Sequence, residues 1–189
     1  MKHHVIAIKG ICSVLLGIML TACITGSTVE QKRAAVQEMR SEVLNDLYMQ
    51  KPDVRDQIAT SVGYAVFSNA NVNLILASFG GGYGLVHNNA SGADTYLRLG
   101  EIGVGFGAGI KDFRVVMVFH NQDALQRFMD YGVAVGAQAD AAAVANDQGG
   151  AVGGELTLDN ITVYQITEAG LALQATVKGT KYWRDPELN

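Results

Sequence analysis

The residues best suited by type and spacing to do chemistry are two rows of alternating glycine, two histidines and one cysteine. In "GEIGVGFGAGIKD", residues 100–112, Gly103, Gly105, Gly107 and Gly109 take every second position. Gly80, Gly82 and Gly84 repeat the pattern earlier. Glycine-rich loops cradle phosphates when bare backbone N–H groups face a ligand between a strand and a helix. The dinucleotide version needs G-x-G-x-x-G. Here the third glycine position falls on Ile110, Ala108 or Leu85, depending on the starting pair, and no Gly-Lys-Ser/Thr follows. A phosphate loop is excluded. The run instead obeys strand period, with Ile102, Val104, Phe106, Ala108 and Ile110 on one face and the four glycines on the other. A face of bare glycine implies close approach by something on that side. Ala137, Ala139, Ala141, Ala143 and Ala145 make another small-residue row. The expected sheet has a smooth floor that a helix, a second layer or an acyl chain can settle on.

His87 and His120 each fall near the end of an expected strand. No His-x-x-x-His or Glu-x-x-His pair exists, so spacing supplies no metal site. No serine lies in G-x-S-x-G. Asp140 and Asp147 bracket the alanine-rich segment as solvated loop ends. Nothing places a base beside a nucleophile, so no enzyme, cofactor or metal is expected. A hydrolase would need a polar cleft around His87 or His120.

Cys23 has a defined chemistry. Lys2 and Lys9 flank a charged region, and the apolar stretch 10–20 is too short for a resident membrane helix but suits a secretory signal. It ends in Leu20-Thr21-Ala22-Cys23, a sequence that resembles a bacterial lipobox. The expected organisation is a lipoprotein signal peptide at 1–22, a palmitate-type acylated anchor at Cys23 with a tether to residue 27, and a single domain at 28–189. Cys12 leaves with the signal, so the mature chain forms no disulfide. Ile24 stands where an aspartate would resemble the inner-membrane retention signal, so the expected location is the outer membrane facing the periplasm. The formal charge of −4 becomes −6 once the two lysines are removed, which argues against nucleic acid as a partner.

The elements that must position these groups are legible in part. Residues 27–50 read as one amphipathic helix with a capping box at Ser27 and Glu30 and a stripe of Val29, Val36, Met39, Val43, Leu44 and Leu47. Pro52 stops it. Glu38, Glu42 and Asp46 lie opposite the stripe, whereas Lys32, Arg33 and Arg40 lie within it or along its edges. Their stems can cover core, or their charges can face anionic headgroups. A short helical turn at 53–60 precedes strands at 63–67, 72–79 and 80–87, a turn at 88–92, and strands at 95–99, 102–110 and 114–120, with Lys111-Asp112 as a tight connection. Asn121 caps a second helix whose apolar face is Ala124, Leu125, Phe128 and Met129, and Gly132 stops it. A segment at 133–145 and strands near 153–158, 161–167 and 171–178 follow. Val115-Val116-Met117-Val118-Phe119 is apolar on both faces, as in a buried strand and unlike a transmembrane barrel. The expected fold is α+β: a mostly antiparallel, strongly curved sheet or partial β-barrel, with an N-terminal amphipathic helix and one helix inserted near 121–131.

Five segments, "SVGYAVFSNANV", "FGGGYGLV", "GEIGVGFGAGIKDFRVVMVFHNQDALQRF", "GVAVGAQADAAAV" and "ITVYQITEAGLAL", occur in an order that resembles the SYLF domain. The likeness runs from about Gln57 to Leu173 and loosely to Asn189. It implies a phospholipid-binding domain, with phosphoinositide recognition and actin binding among eukaryotic members. Membrane contact in those members is attributed to a basic amphipathic segment before the sheet, which maps to Lys32, Arg33 and Arg40. The expected function is a non-enzymatic, phospholipid-interacting cell-envelope lipoprotein, held to the membrane through Cys23, with anionic phospholipid as partner. The alternative is a structural or protein-interaction lipoprotein whose only membrane contact is the Cys23 acyl anchor. The sequence names no protein partner.

Overall fold

The computed structural model describes residues 28–132, 155–158, 160–167, 170–171 and 177–189. The signal segment, Cys23, Ser27 and the alanine row at 137–145 lie outside the described residues. The chain divides into two compact units, Met1–Lys32 and Arg33–Asn189. In the first, Thr28 Oγ1 accepts from Gln31 N at 3.2 Å and Gln31 Oε1 accepts from Thr28 N at 2.8 Å. The capping box is therefore one residue later than the Ser27–Glu30 pair, because Thr28 and Gln31 have the same spacing and satisfy each other's backbone N–H.

Helix α1 spans Val29–Gln50 and buries Val36, Met39, Val43 and Leu47, four of the six stripe residues read from the sequence, with Val29 and Leu44 half-buried. Helix α2, Val54–Thr60, follows Pro52 and buries Val54 and Ile58.

The sheet is built on one long hairpin. Strand β1 spans Gly63–Asn88 and strand β2 spans Ala93–Phe119. The turn between them is held by Asn88 Oδ1, which accepts from Ala90 N and Ser91 N at 3.0 Å, and by Gly92 at φ 69°. The separate strands expected from the sequence are thus two continuous ones. Lys111-Asp112 is not a connection: the two residues pair with Asn71 and Ala70 in an unbroken ladder. An interstrand ladder carries polar residues through where no Gly, Pro or Asn forces a turn.

The hairpin bends back on itself. A register irregularity lies between Ile75 and Ala77, and around it the two halves of β1 come together. A Cβ added at Gly63 would sit 2.5 Å from His87 O. One at Gly82 would lie 3.0 Å from Asn69 Cα, and one at Gly84 would strike Val66 O and the Phe67 ring. The outer edge of β2 is then shared. Its first half pairs with β6, Val177–Arg184, and its second half with β4, Ile161–Thr167. Strands β3, Glu155–Leu158, and β5, Gly170–Leu171, both pair with β4. The described ladders are all antiparallel, and the result is a curved, open six-stranded sheet in an α+β fold.

Helix α3, Gln122–Tyr131, packs its apolar face against the sheet. Asn121 Oδ1 accepts from Ala124 N at 2.9 Å, and Gly132 ends the helix in the left-handed region at φ 61°. Ala124, Leu125 and Phe128 enter a core with Ala65, Phe67, Leu97, Leu99, Val115, Met117 and Tyr182. The Phe128 ring centroid lies 5.2 Å from Phe119 and 5.1 Å from Tyr182, and Phe67 lies 4.6 Å from Tyr182. Tilted aromatic pairs at these separations contribute about 0.5–1.5 kcal/mol each beyond the area they bury.

Candidate functional site

The densest polar network among the described residues joins α1 to the hairpin. His87 and Asp94 are direct partners across the β1–β2 ladder, and Asp94 Oδ1 lies 2.6 Å from His87 Nδ1. Its other oxygen accepts from Gln37 Nε2 at 2.8 Å and from Arg40 at 3.4 Å. Gln37 also donates to the Tyr96 hydroxyl at 3.0 Å. The Tyr64 ring packs against His87 at 5.2 Å. Burial pushes the Tyr64 hydroxyl pKa up, against the opposing pull of the Arg40 guanidinium.

This network fixes where the candidate headgroup residues stand. Arg33 Nε donates to Leu188 O at 2.9 Å, and its guanidinium lies 5.9 Å from the centre of the Tyr96 ring. Arg40 is paired with Asp94, both side chains being about three-quarters buried. Arg33 therefore reaches the C-terminal turn and the Tyr96 ring, and Arg40 the Asp94 carboxylate at the start of β2. Lys32 is half-buried at the start of α1.

The histidines sit far apart in chemical role. His87 belongs to the Asp94 network, whereas His120 follows β2, is exposed, and lies 2.7 Å through Nε2 from Thr162 Oγ1. The hydroxyl in contact with His120 thus belongs to a β4 threonine, and the group on His87 Nδ1 is a carboxylate already held by Gln37 and Arg40. Among the described residues no group of His, Cys, Asp or Glu could hold a metal ion.

The glycine rows separate by position. Gly82 and Gly84 receive the backbone of Ser68 and Val66 from the other half of their own strand. Gly80 is paired with Glu101. Gly103, Gly107 and Gly109 pair with Ser78, Ile75 and Asn73, so the run 103–109 occupies the part of β2 opposite the bend of β1; Gly105 lies between them. Next to this bend the core turns polar. Glu101 is 2% exposed and accepts from Asn69 Nδ2 at 2.6 Å, close to buried Thr180 and Tyr182. Burial, with the Glu101 charge added to it, pushes the Tyr182 hydroxyl pKa up.

The C-terminal turn is a second polar knot. Burial pushes the Asp185 carboxyl pKa up, but the Arg98 hydrogen bond at 2.6 Å and the backbone N–H groups of Glu187 and Leu188 outweigh it and hold the pKa below the ordinary value. Asn189 ties the end of the chain to Tyr96, donating to its carbonyl at 2.8 Å and accepting from its N–H at 3.0 Å.

Asp94, Glu101 and Asp185 are carboxylates that tie elements together and that no motif spacing marks. Asp94 had a usable signal, since a hairpin closing through 89–92 sets it opposite His87. Glu101 had none, because a single acid inside an apolar–glycine alternation reads as a strand end.

Residues 100–189 match the family model Ysc84, described as Las17-binding protein actin regulator. The SYLF resemblance is thereby shown, over the far part of β2, α3 and the remaining strands. Over 172 residues the chain is 28% identical to Beta cell expansion factor A of Aeromonas veronii, covering 89% of this chain and 63% of that protein. The chain thus spans less than two-thirds of that relative's length. The family likeness supports a domain of lipid-binding type.

Proposed function

We propose that this SYLF-type chain is a non-enzymatic, lipid-anchored protein of the cell envelope whose domain contacts phospholipid directly. The observation that carries the reading is the family match across residues 100–189, which supports a lipid-binding-type domain. The lipobox-like Leu20-Thr21-Ala22-Cys23 supplies the anchor, and only residues 24–28 separate it from α1. Acylation at Cys23 holds the domain at the membrane, with the outer membrane as its location and the periplasm as the side it faces.

One feature of the fold supports a binding role over a catalytic one. Among the described residues, His87 is engaged with the Asp94 carboxylate, which Gln37 and Arg40 also hold, and His120 with the Thr162 hydroxyl. Arg33 Nε donates to Leu188 O and Arg40 is paired with Asp94, so both arginines help to tie α1 to the rest of the domain.

The anchor is tested by metabolic labelling with palmitate. Label on the parent and none on Cys23→Ser supports it; equal labelling of the two contradicts it. Domain contact is tested separately by co-sedimentation of residues 24–189, which lack the acylated cysteine, with phospholipid vesicles. The named core and both polar knots draw only on residues 33–189, so this form keeps the contacts that hold the fold. Sedimentation with neither anionic nor neutral vesicles would leave the scaffold reading, in which the acyl anchor is the sole membrane contact.

A further inference from the structure

Among the described residues, six large hydrophobic side chains are exposed by 44% or more, and four of them share one face of the sheet. Phe79 at 52% and Ile102 at 68% are direct partners across the β1–β2 ladder. Tyr83 is paired with Arg98, and Arg98 on its other side with Trp183, at 45% and 44% exposure for the two aromatics. Gly81 and Gly100 pair between them and carry no side chain to interrupt the surface; the Trp183 ring reaches over Gly100, 3.2 Å from where a Cβ would stand. Strand alternation puts all of these on the face opposite Leu97, Leu99, Glu101, Thr180 and Tyr182, which are buried. Isolated surface hydrophobics are ordinary, but four on one face of three neighbouring strands, with the Arg98 side chain between Tyr83 and Trp183, mark a contact surface.

We infer that this face, Phe79, Tyr83, Ile102 and Trp183 with Lys181 beside them, docks on the headgroup region of an anionic phospholipid bilayer. The inference rests on the lipid-binding reading and gives that reading a surface. The occupant is argued from chemistry. Trp and Tyr are the side chains that settle at a membrane–water interface, because their rings are apolar and their N–H or O–H groups stay wet. Lys181 pairs with Gly100 on the same face, is exposed, and has no acidic partner among the described residues. A lysine so placed lays its stem over apolar surface and presents its charge to anionic headgroups. Asp185 and Glu187, the acids nearest to it along the chain, are both paired with Arg98. An anchor at Cys23 keeps such a bilayer within reach of the domain.

Trp183 is the only tryptophan in the chain, so its fluorescence reports this face alone. Residues 24–189 are mixed with vesicles of phosphatidylglycerol in phosphatidylcholine, and emission and co-sedimentation are read together. The expected result is a blue shift on binding, with quenching by brominated acyl chains. Phe79→Ser with Ile102→Ser should weaken partitioning about tenfold or more, as loss of two inserted apolar side chains requires. Lys181→Glu should weaken binding to the anionic vesicles and flatten its salt dependence. These side chains are exposed, so unchanged circular dichroism is expected to show that the variants fold. Parent binding with unshifted Trp183 emission and undiminished affinity of the variants would overturn the docking face and leave lipid binding standing. A blue shift that grows with protein concentration without vesicles would overturn it in favour of a second copy covering the face. No binding by the parent to any vesicle would overturn the lipid-binding reading, and the face with it.

Discussion

Asp94 stands directly across the hairpin from His87, 2.6 Å away, and its second carboxylate oxygen holds Gln37 and Arg40 of α1. One side chain therefore joins both strands of the ribbon to the helix laid on them. The largely buried setting strengthens each charge-assisted bond and raises the cost of leaving any partner unpaired.

Asp94→Ala is expected to destabilise the domain by about 1–3 kcal/mol, the usual range for removing a hydrogen-bonded charged partner. Chemical denaturation measures the loss, and hydrogen exchange locates it. Protection should fall in α1 around Gln37 and Arg40 before it falls in β1. A uniform loss across the sheet would show that α1 is held by its apolar stripe alone.

The glycines of β1 differ sharply in what surrounds them. Gly84→Ala places a Cβ against Val66 O and the Phe67 ring, whereas Gly81→Ala meets nothing nearer than Leu99 O at 3.8 Å. The first change is expected to cost about 1–3 kcal/mol, as overpacking of a core does, because backbone must move to admit it. The second should leave stability within about 0.5 kcal/mol of the parent. Equal effects at both positions would contradict the folded-back arrangement of β1.

Asp185 gives the fold an acid-sensitive component. Its pKa is held below the ordinary value of 3.8, so the stability it contributes is present above that value and is lost as pH falls through the lowered folded pKa. Asp185→Asn loses the Arg98 charge pairing while keeping an acceptor for Glu187 N. The variant should be less stable than the parent at neutral pH, and the two should converge at strongly acidic pH. Parallel stability curves down to that pH would show that Asp185 does not supply the difference.

Much of this architecture is written in local pattern. The α1 stripe, the Asn121 cap and the Gly132 stop are local signals, and each element formed where its residues pointed. The bend of β1 was not legible. Residues 63–67, 72–79 and 80–87 look like three strands because polar Ser68, Asn69, Asn71 and Asn73 interrupt the apolar runs, yet the ladder with β2 carries the backbone through them. The partner of Gly82 and Gly84 was equally hidden, since a row of glycine announces close approach without saying by what. The seating of Arg33 and Arg40 depends on Leu188 O and Asp94, groups far along the chain that no helical wheel contains. The same limit hid the exposed face, whose side chains come from three strands and meet only through register.

The most direct test of the central claim, that the domain itself contacts phospholipid, is co-sedimentation of residues 24–189 with anionic and neutral vesicles at low and raised salt. Without the acylated cysteine, any sedimentation reports the domain alone. The expected result is binding to anionic vesicles that weakens as salt screens the headgroup charge over a Debye length of about 10 Å at 0.1 M. Protein that stays in the supernatant with both lipid types at low salt would contradict the claim.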